Sequence, residues 1–326
     1  MTQASSGFFP EITPYQTHNI AVGDGHTLYV EQSGNPEGLP VIVLHGGPGS
    51  GCKDTHRQRF NPAIYRIVCF DQRGCGRSTW EDRLAANTTP HLVDDIETIR
   101  TQLGLGKVVI YGTSWGSTLA LAYAQTHPQQ VLGMVLGGIF LCTPHELAWM
   151  TSPAGVPRFH PAEYRAVVAE LGNPPPEDIL ETLHQALTGN NEDFAQRTAT
   201  LWSRYEAVCS DPAPNHAEIE EFLATATNLV EHATMEAYYF VNDGFLEPNQ
   251  LADNTHRIAH LPVHILQGAI DMVCPPETAI KLHGLLPNST LTMVPLCGHS
   301  GTEDMEIART EATNTMAAQL AAAKTE

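Results

Sequence analysis

The sequence predicts an α/β fold, a mostly parallel sheet wrapped by helices and interrupted by a helical insertion. Three observations predict it: short β-branched runs recur along the chain, helical stretches alternate with them, and between about residues 141 and 255 the alternation gives way to polar helix-like segments. The runs lie at 27–30, 41–44, 66–70, 107–111, 131–136, 263–266 and 290–294, and nearly continuous apolar runs suit strands buried on both faces. Leu92, Ile96, Ile99 and Leu103 repeat at helical spacing, and the Ala- and Leu-rich stretch 117–125 predicts a further helix that His127-Pro128 stops. Pro174-Pro175-Pro176 and Asp211-Pro-Ala-Pro214 punctuate the insertion, so residues 141–255 read as a helical cap domain and residues 1–140 with 256–326 as one α/β domain. The Ala-rich stretch 311–324 predicts a terminal helix.

Composition narrows the function. At 326 residues the chain is long enough to bury a catalytic site. No apolar run approaches the ~18 residues that cross a bilayer, and residues 1–10 lack both a basic stretch and a long apolar segment, so a soluble, cytoplasmic protein is expected. The seven cysteines are scattered without a CxxC pair, against both a disulfide framework and a structural zinc site. A net charge of −19 argues against nucleic acid and anionic membranes as partners, because phosphate neutralisation needs a basic face. That charge is uneven: residues 141–255 hold 18 Asp and Glu against four Arg and no Lys. Such a field reads either as a solvated acidic surface or as attraction for a cationic substrate.

Gly112-Thr113-Ser114-Trp115-Gly116 fits G-x-S-x-G between a predicted strand and a predicted helix, the setting of the nucleophile in an α/β-hydrolase fold. Ser114 is the expected nucleophile, held on a turn too tight for side chains at either glycine. Upstream, His45-Gly46-Gly47-Pro48-Gly49 follows the run 41–44, where this fold draws one N–H of its oxyanion hole. Pro48 has no N–H, which leaves Gly47 as the expected donor, with the N–H of Trp115 as the second. The acid and base should follow in the order Asp then His. Asp271 ends the run after 263–266 and His299 the run after 290–294, so both fall at the carboxyl edge of the sheet with Ser114. Asp243 and Asp253 replace Asp271 only in an unusual topology. Cys274 and Cys297 lie near Asp271 and His299 in sequence, which suggests sensitivity to thiol reagents. Arg73 and Arg77 are expected to anchor the turn 71–78 through carboxylate pairs.

The succession of His45-Gly-Gly-Pro-Gly49, Asp71-Gln-Arg-Gly-Cys-Gly-Arg-Ser78, Ser114-Trp-Gly-Ser-Thr-Leu-Ala-Leu-Ala-Tyr123 and Cys297-Gly-His299 resembles the prolyl aminopeptidases, or proline iminopeptidases, over nearly the whole chain. The resemblance implies a serine peptidase that removes an N-terminal proline from small peptides, with neither metal nor other cofactor, beneath a helical cap. Within the cap, Trp202-Ser-Arg-Tyr205-Glu206 resembles the family's W-x-x-W-E block and Met235-Glu236-Ala-Tyr-Tyr-Phe240 its I-E-N-H-Y-F block. By that resemblance Glu206 and Glu236 hold the substrate's free amino group, and Phe140 and Phe240 line the pocket for the proline ring. The chain departs from the family at Thr113, Trp149-Met150-Thr151, Tyr205 and Gly268-Ala-Ile-Asp271, which bears on the shape of the first-residue pocket and on preference for proline over alanine. An esterase, lactonase or amino-acid amidase on the same fold is the competing enzymatic reading, and a non-catalytic receptor the reading outside enzymes.

Overall fold

The computed structural model describes residues 7–323. Residues 1–6 of the N-terminal stretch, and Lys324 at the end of the expected terminal helix, lie outside the described residues. The strands are β1 (Gln16–Gly23), β2 (His26–Gly34), β3 (Leu39–Leu44), β4 (Tyr65–Phe70), β5 (Val108–Thr113), β6 (Val131–Gly137), β7 (Val263–Gly268) and β8 (Ser289–Val294). Helix α1 (Asp54–Arg57) precedes β4, α2 (Thr89–Gln102) precedes β5, and α3 (Trp115–Thr126) joins β5 to β6. Between β6 and β7 come α4 (Pro144–Thr151), α5 (Pro161–Glu170), α6 (Ile179–Thr188), α7 (Glu192–Ser210), α8 (His216–Thr225), α9 (Leu229–Val241) and α10 (Gln250–Asp253). Helix α11 (Pro276–Leu285) links β7 to β8, and α12 (Glu303–Ala323) follows β8.

The eight strands form one sheet in the order β1-β2-β4-β3-β5-β6-β7-β8. β2 pairs antiparallel with β1 and with β4, and every pairing from β4 to β8 is parallel. Alternate residues of the central strands enter different cores, as the two-residue period of a strand dictates. Ile42, Val68 and Ile110 pack with α2 and α3 on one face, while Val41, Ile67 and Val109 pack with α12 on the other. Both sets are fully buried, and each such side chain contributes roughly 1.5–3 kcal/mol.

Two elements differ from expectation for a readable reason. β1 was not expected: it is an edge strand in which only Ile20 is buried, so it carries no apolar run. Helix α12 begins eight residues before its Ala-rich segment, at Glu303. Its polar first turn places Glu303, Asp304 and Glu306 at the positive end of the helix dipole. It docks through Arg59, whose guanidinium meets Glu306 at 2.8 and 2.9 Å, and through the Tyr65 hydroxyl, which donates to the Thr313 carbonyl at 2.6 Å.

The insertion has a cluster of its own, with Leu183, Ala199, Trp202, Tyr205, Val208 and Ala233 at its centre. Leu141, Leu251 and Ala252, at the ends of the 141–255 stretch, pack instead with the sheet. Helix α9 belongs to both: Ala233 and Ala237 face the insertion, while Met235 and Tyr239 join the sheet cluster.

Candidate active site

The loops that hold Gly47, Ser114, Asp271 and His299 all leave the carboxyl ends of strands, beside the point where the strand order reverses around β3 and β5. Ser114 caps the β5–α3 turn at φ 58° and ψ −131°, a conformation that aims its side chain out of the turn. Its N–H donates to the Gly137 carbonyl at 2.9 Å. The flanking glycines are obligatory: a Cβ on Gly112 would strike the Gly116 carbonyl, and one on Gly116 the Leu44 carbonyl. Gly112→Ala is therefore expected to destabilise the fold by on the order of 3 kcal/mol, read as a lower urea midpoint at unchanged m-value.

Three groups meet at this edge. His299 Nε2 lies 3.1 Å from Ser114 Oγ, and His299 Nδ1 lies 2.9 Å from Asp271 Oδ2. Asp271 is buried, and its Oδ1 accepts the N–H groups of Val273 and Cys274 at 3.0 and 2.8 Å. Gln267 donates to Asp271 Oδ2 at 3.2 Å while its own oxygen takes the Ile139 N–H at 3.0 Å, tying the acid to the loop after β6. Burial pulls the His299 imidazolium down, but the charge and hydrogen bond of Asp271 outweigh it, so the imidazole titrates above its ordinary value. With His299 as the base only its neutral imidazole would be competent, and kcat/KM is then expected to fall as pH drops through a value above the ordinary 6.5 of histidine. A pH profile locates that limb.

Gly47 lines the cavity in front of Ser114, at φ +103°. Trp115 is the first residue of α3, so its N–H has no acceptor within the helix. The turn 71–78 fixes both neighbours. Gln72 donates through its backbone N–H to His45 Nε2 and through its side chain to the His45 carbonyl, each at 3.0 Å, and it accepts from Trp115 Nε1 at 3.1 Å. Burial keeps His45 neutral, so it accepts at Nε2 and donates from Nδ1 to the Gly46 carbonyl. Arg73 holds the turn to Asp95 at 2.7 and 2.8 Å, and Arg77 pairs with Asp71 at 2.8 Å and with Glu31 at 3.1 Å.

A cavity of about 210 Å³ opens over Ser114 and His299 and runs beneath α7 and α9. Phe140 and Phe240 meet edge to face in its wall, their centroids 5.9 Å apart, and Leu147, Met150, Leu180 and Val273 extend the apolar lining. Three carboxylates reach it. Glu146 is spent on capping α4, accepting from Leu141 N–H, Thr143 N–H and the Thr143 hydroxyl at 2.7–3.0 Å. Glu206, on α7, and Glu236, on α9, face each other across the cavity. Burial, and then the charge of Glu236, push the Glu206 carboxyl well above the usual carboxylate range. Trp202 Nε1 donates to Glu236 Oε2 at 3.2 Å. Two carboxylates that converge in a cavity beside a titratable imidazole suit an ammonium.

Sequence reasoning did not single out Ser50, His232 or Gln267. Ser50 and His232 line the cavity, with His232 Nε2 lying 3.2 Å from Ser50 Oγ. Of the departures from the family pattern, Tyr205 is fully buried in the insertion and donates to the Met150 carbonyl at 2.8 Å, away from the cavity, whereas Met150 lines it. Cys274 lines the cavity too, its buried thiol pushed well above the ordinary range, while Cys297 packs in the sheet core. Asp243 and Asp253 have no bond to His299, whose Nδ1 is taken by Asp271.

Residues 40–304 match the alpha/beta hydrolase fold family, and the chain is a member of it. The proline iminopeptidase of Xylella fastidiosa (strain 9a5c) is 43% identical over 305 residues, covering 92% of this chain and 95% of that protein. The proline iminopeptidase of Neisseria gonorrhoeae is 40% identical over 282 residues, covering 86% and 89%. Among solved structures, the proline iminopeptidase-related protein of Thermus thermophilus shares the fold with a TM-score of 0.61 at 23% identity, covering 94% of this chain and 98% of that one. Within the alpha/beta hydrolases, this chain belongs to the proline iminopeptidase family.

Proposed function

We propose that the protein is a serine exopeptidase that releases N-terminal proline from small peptides. The observation that carries this reading is the Glu206 and Glu236 pair at one end of the cavity that holds Ser114. The pyrrolidinium of an N-terminal proline offers one positive charge and two N–H donors. Two carboxylates satisfy both, at roughly 1.5–3 kcal/mol per charged hydrogen bond, and place the carbonyl of the first residue over the serine. A blocked or internal proline would leave the carboxylates unpaired, which restricts cleavage to free N-termini.

Ser114 Oγ attacks that carbonyl as its proton passes to His299 Nε2, and Asp271 stabilises the imidazolium at Nδ1. The N–H groups of Gly47 and Trp115 take the oxyanion. His299 then returns the proton to the leaving nitrogen, the C–N bond breaks, and water hydrolyses the prolyl ester by the same route. Phe140 and Phe240 hold the ring. Residues 141–255 act as the cap that supplies the glutamates, over a catalytic domain of residues 1–140 and 256–326. The chemistry proceeds on protein groups alone. Seven cysteines without a disulfide support a cytoplasmic setting. Among the described residues no helix is long and apolar enough to cross a membrane.

Glu206→Gln and Glu236→Gln test the reading, since each keeps shape and removes charge. Each is expected to lower kcat/KM for proline arylamide by about 10–100-fold, the cost of one charged hydrogen bond, while hydrolysis of a small neutral ester changes less than about threefold. Equal losses on both substrates would contradict the amino-group role and favour an esterase.

A further inference from the structure

The same end of the cavity carries a third metal-ligating side chain. His232 and Glu236 stand one turn apart on α9, with His232 Nε2 3.6 Å from Glu236 Oε1, and Glu206 projects from α7 opposite them. One ligand atom from each of the three lies within 4.8 Å of the other two. Residues four apart on one helix face are a recurrent way to present two ligands to one ion. Glu236 is 5% exposed, and while Oε2 takes the Trp202 N–H, Oε1 faces into the cluster, where no N–H of the described residues donates to it within 3.5 Å.

We propose that Glu206, His232 and Glu236 form a divalent transition-metal site, suited to zinc, at the end of the catalytic cavity, and that an ion held there excludes the substrate's amino group. The donor set is one imidazole and two carboxylates, two negative charges against a 2+ ion, with a fourth position open to the cavity. Zinc bonds of about 2.0–2.2 Å put tetrahedral ligands roughly 3.3–3.5 Å apart. The His232–Glu236 separation is close to that already, and a Glu206 oxygen lies within 4.8 Å of both. Magnesium and calcium prefer all-oxygen shells of six or more ligands and do not suit this set. The ion takes no part in the reaction: zinc is an inhibitor that competes for the carboxylates. That consequence rests on the amino-site reading given above.

Zinc chloride titrated into the Ser114→Ala protein in a calorimeter separates binding from turnover. One ion per chain is expected, without equivalent binding of magnesium or calcium, and adding His232→Gln should weaken it at least about tenfold. In the active protein, zinc should raise KM for proline arylamide with kcat unchanged, and a chelator should restore the rate. Each variant is compared with its own zinc-free rate: Cys274→Ser should keep the inhibition, and His232→Gln should lose it. Absence of zinc binding, or inhibition that survives His232→Gln and disappears in Cys274→Ser, would overturn the site. Binding lost in His232→Gln but without competition against substrate would uphold the metal site and overturn the amino-site reading instead.

Discussion

Replacing Ser114 by alanine is expected to lower kcat for proline arylamide by about 10⁶-fold, the scale found when a triad nucleophile is removed alone. Nothing else near the cleft replaces it. Cys274 also lines the cavity, but its thiol is buried and held well above the ordinary range, and the Ser50 hydroxyl there meets His232 rather than His299. The rate that survives should reflect the oxyanion donors and substrate positioning, roughly 10³–10⁴ above water. Because Glu206 and Glu236 are untouched, substrate should still bind, and a proline-based ligand should bind the variant within a few-fold of the parent. Active-site titration and equilibrium binding on one preparation check both halves. Loss of binding alongside turnover would mean that the turn had collapsed, which an unchanged urea midpoint excludes.

Asp271→Asn is expected to cost about 10⁴-fold in kcat with little change in KM. The carboxylate accepts from His299 Nδ1, which leaves Nε2 free to take the serine proton, 3.1 Å from Ser114 Oγ. An amide in the same place turns its NH₂ toward Nδ1 and favours the tautomer with the proton on Nε2, where it cannot act as a base. Its position would hold, because the N–H groups of Val273 and Cys274 still donate to the Oδ1 site, while the bond from Gln267 to Oδ2 is lost. The same change removes the charge that raises the His299 pKa, leaving burial to lower it. The acid limb of the remaining activity should therefore move to lower pH. An unmoved limb would assign that titration to another group.

How much of this was legible in the sequence follows from how local each signal is. Ser114 was legible because its turn needs glycine at 112 and 116 for contacts within five residues and with the adjoining strand. Asp271 and His299 were legible because each sits just past an apolar run, and parallel order carries both to one edge. Their supports were not. Gln267 is one more residue of a buried strand until folding places it between Ile139 and Asp271. His232 is one of 16 histidines, and only the crossing of α7 over α9 puts it beside Glu206. The turn 71–78 read as structural, yet through Gln72 it bonds both the loop carrying Gly47 and the indole of Trp115. The acidic bias of the insertion did not mark which carboxylates matter; that took the contrast between Glu146, bonded on both oxygens, and the facing pair Glu206 and Glu236.

Recognition of a free N-terminus is tested by setting proline arylamide against its N-acetyl derivative, using the parent protein and Ser114→Ala with a chelator present throughout. Rapid cleavage of the free substrate, at least about 10²-fold slower cleavage once the amino group is acetylated, and loss of both in the variant are the predicted results. Acetyl-proline arylamide cleaved as fast as the free compound would overturn the exopeptidase reading, because Glu206 and Glu236 would then not be recognising a free N-terminus.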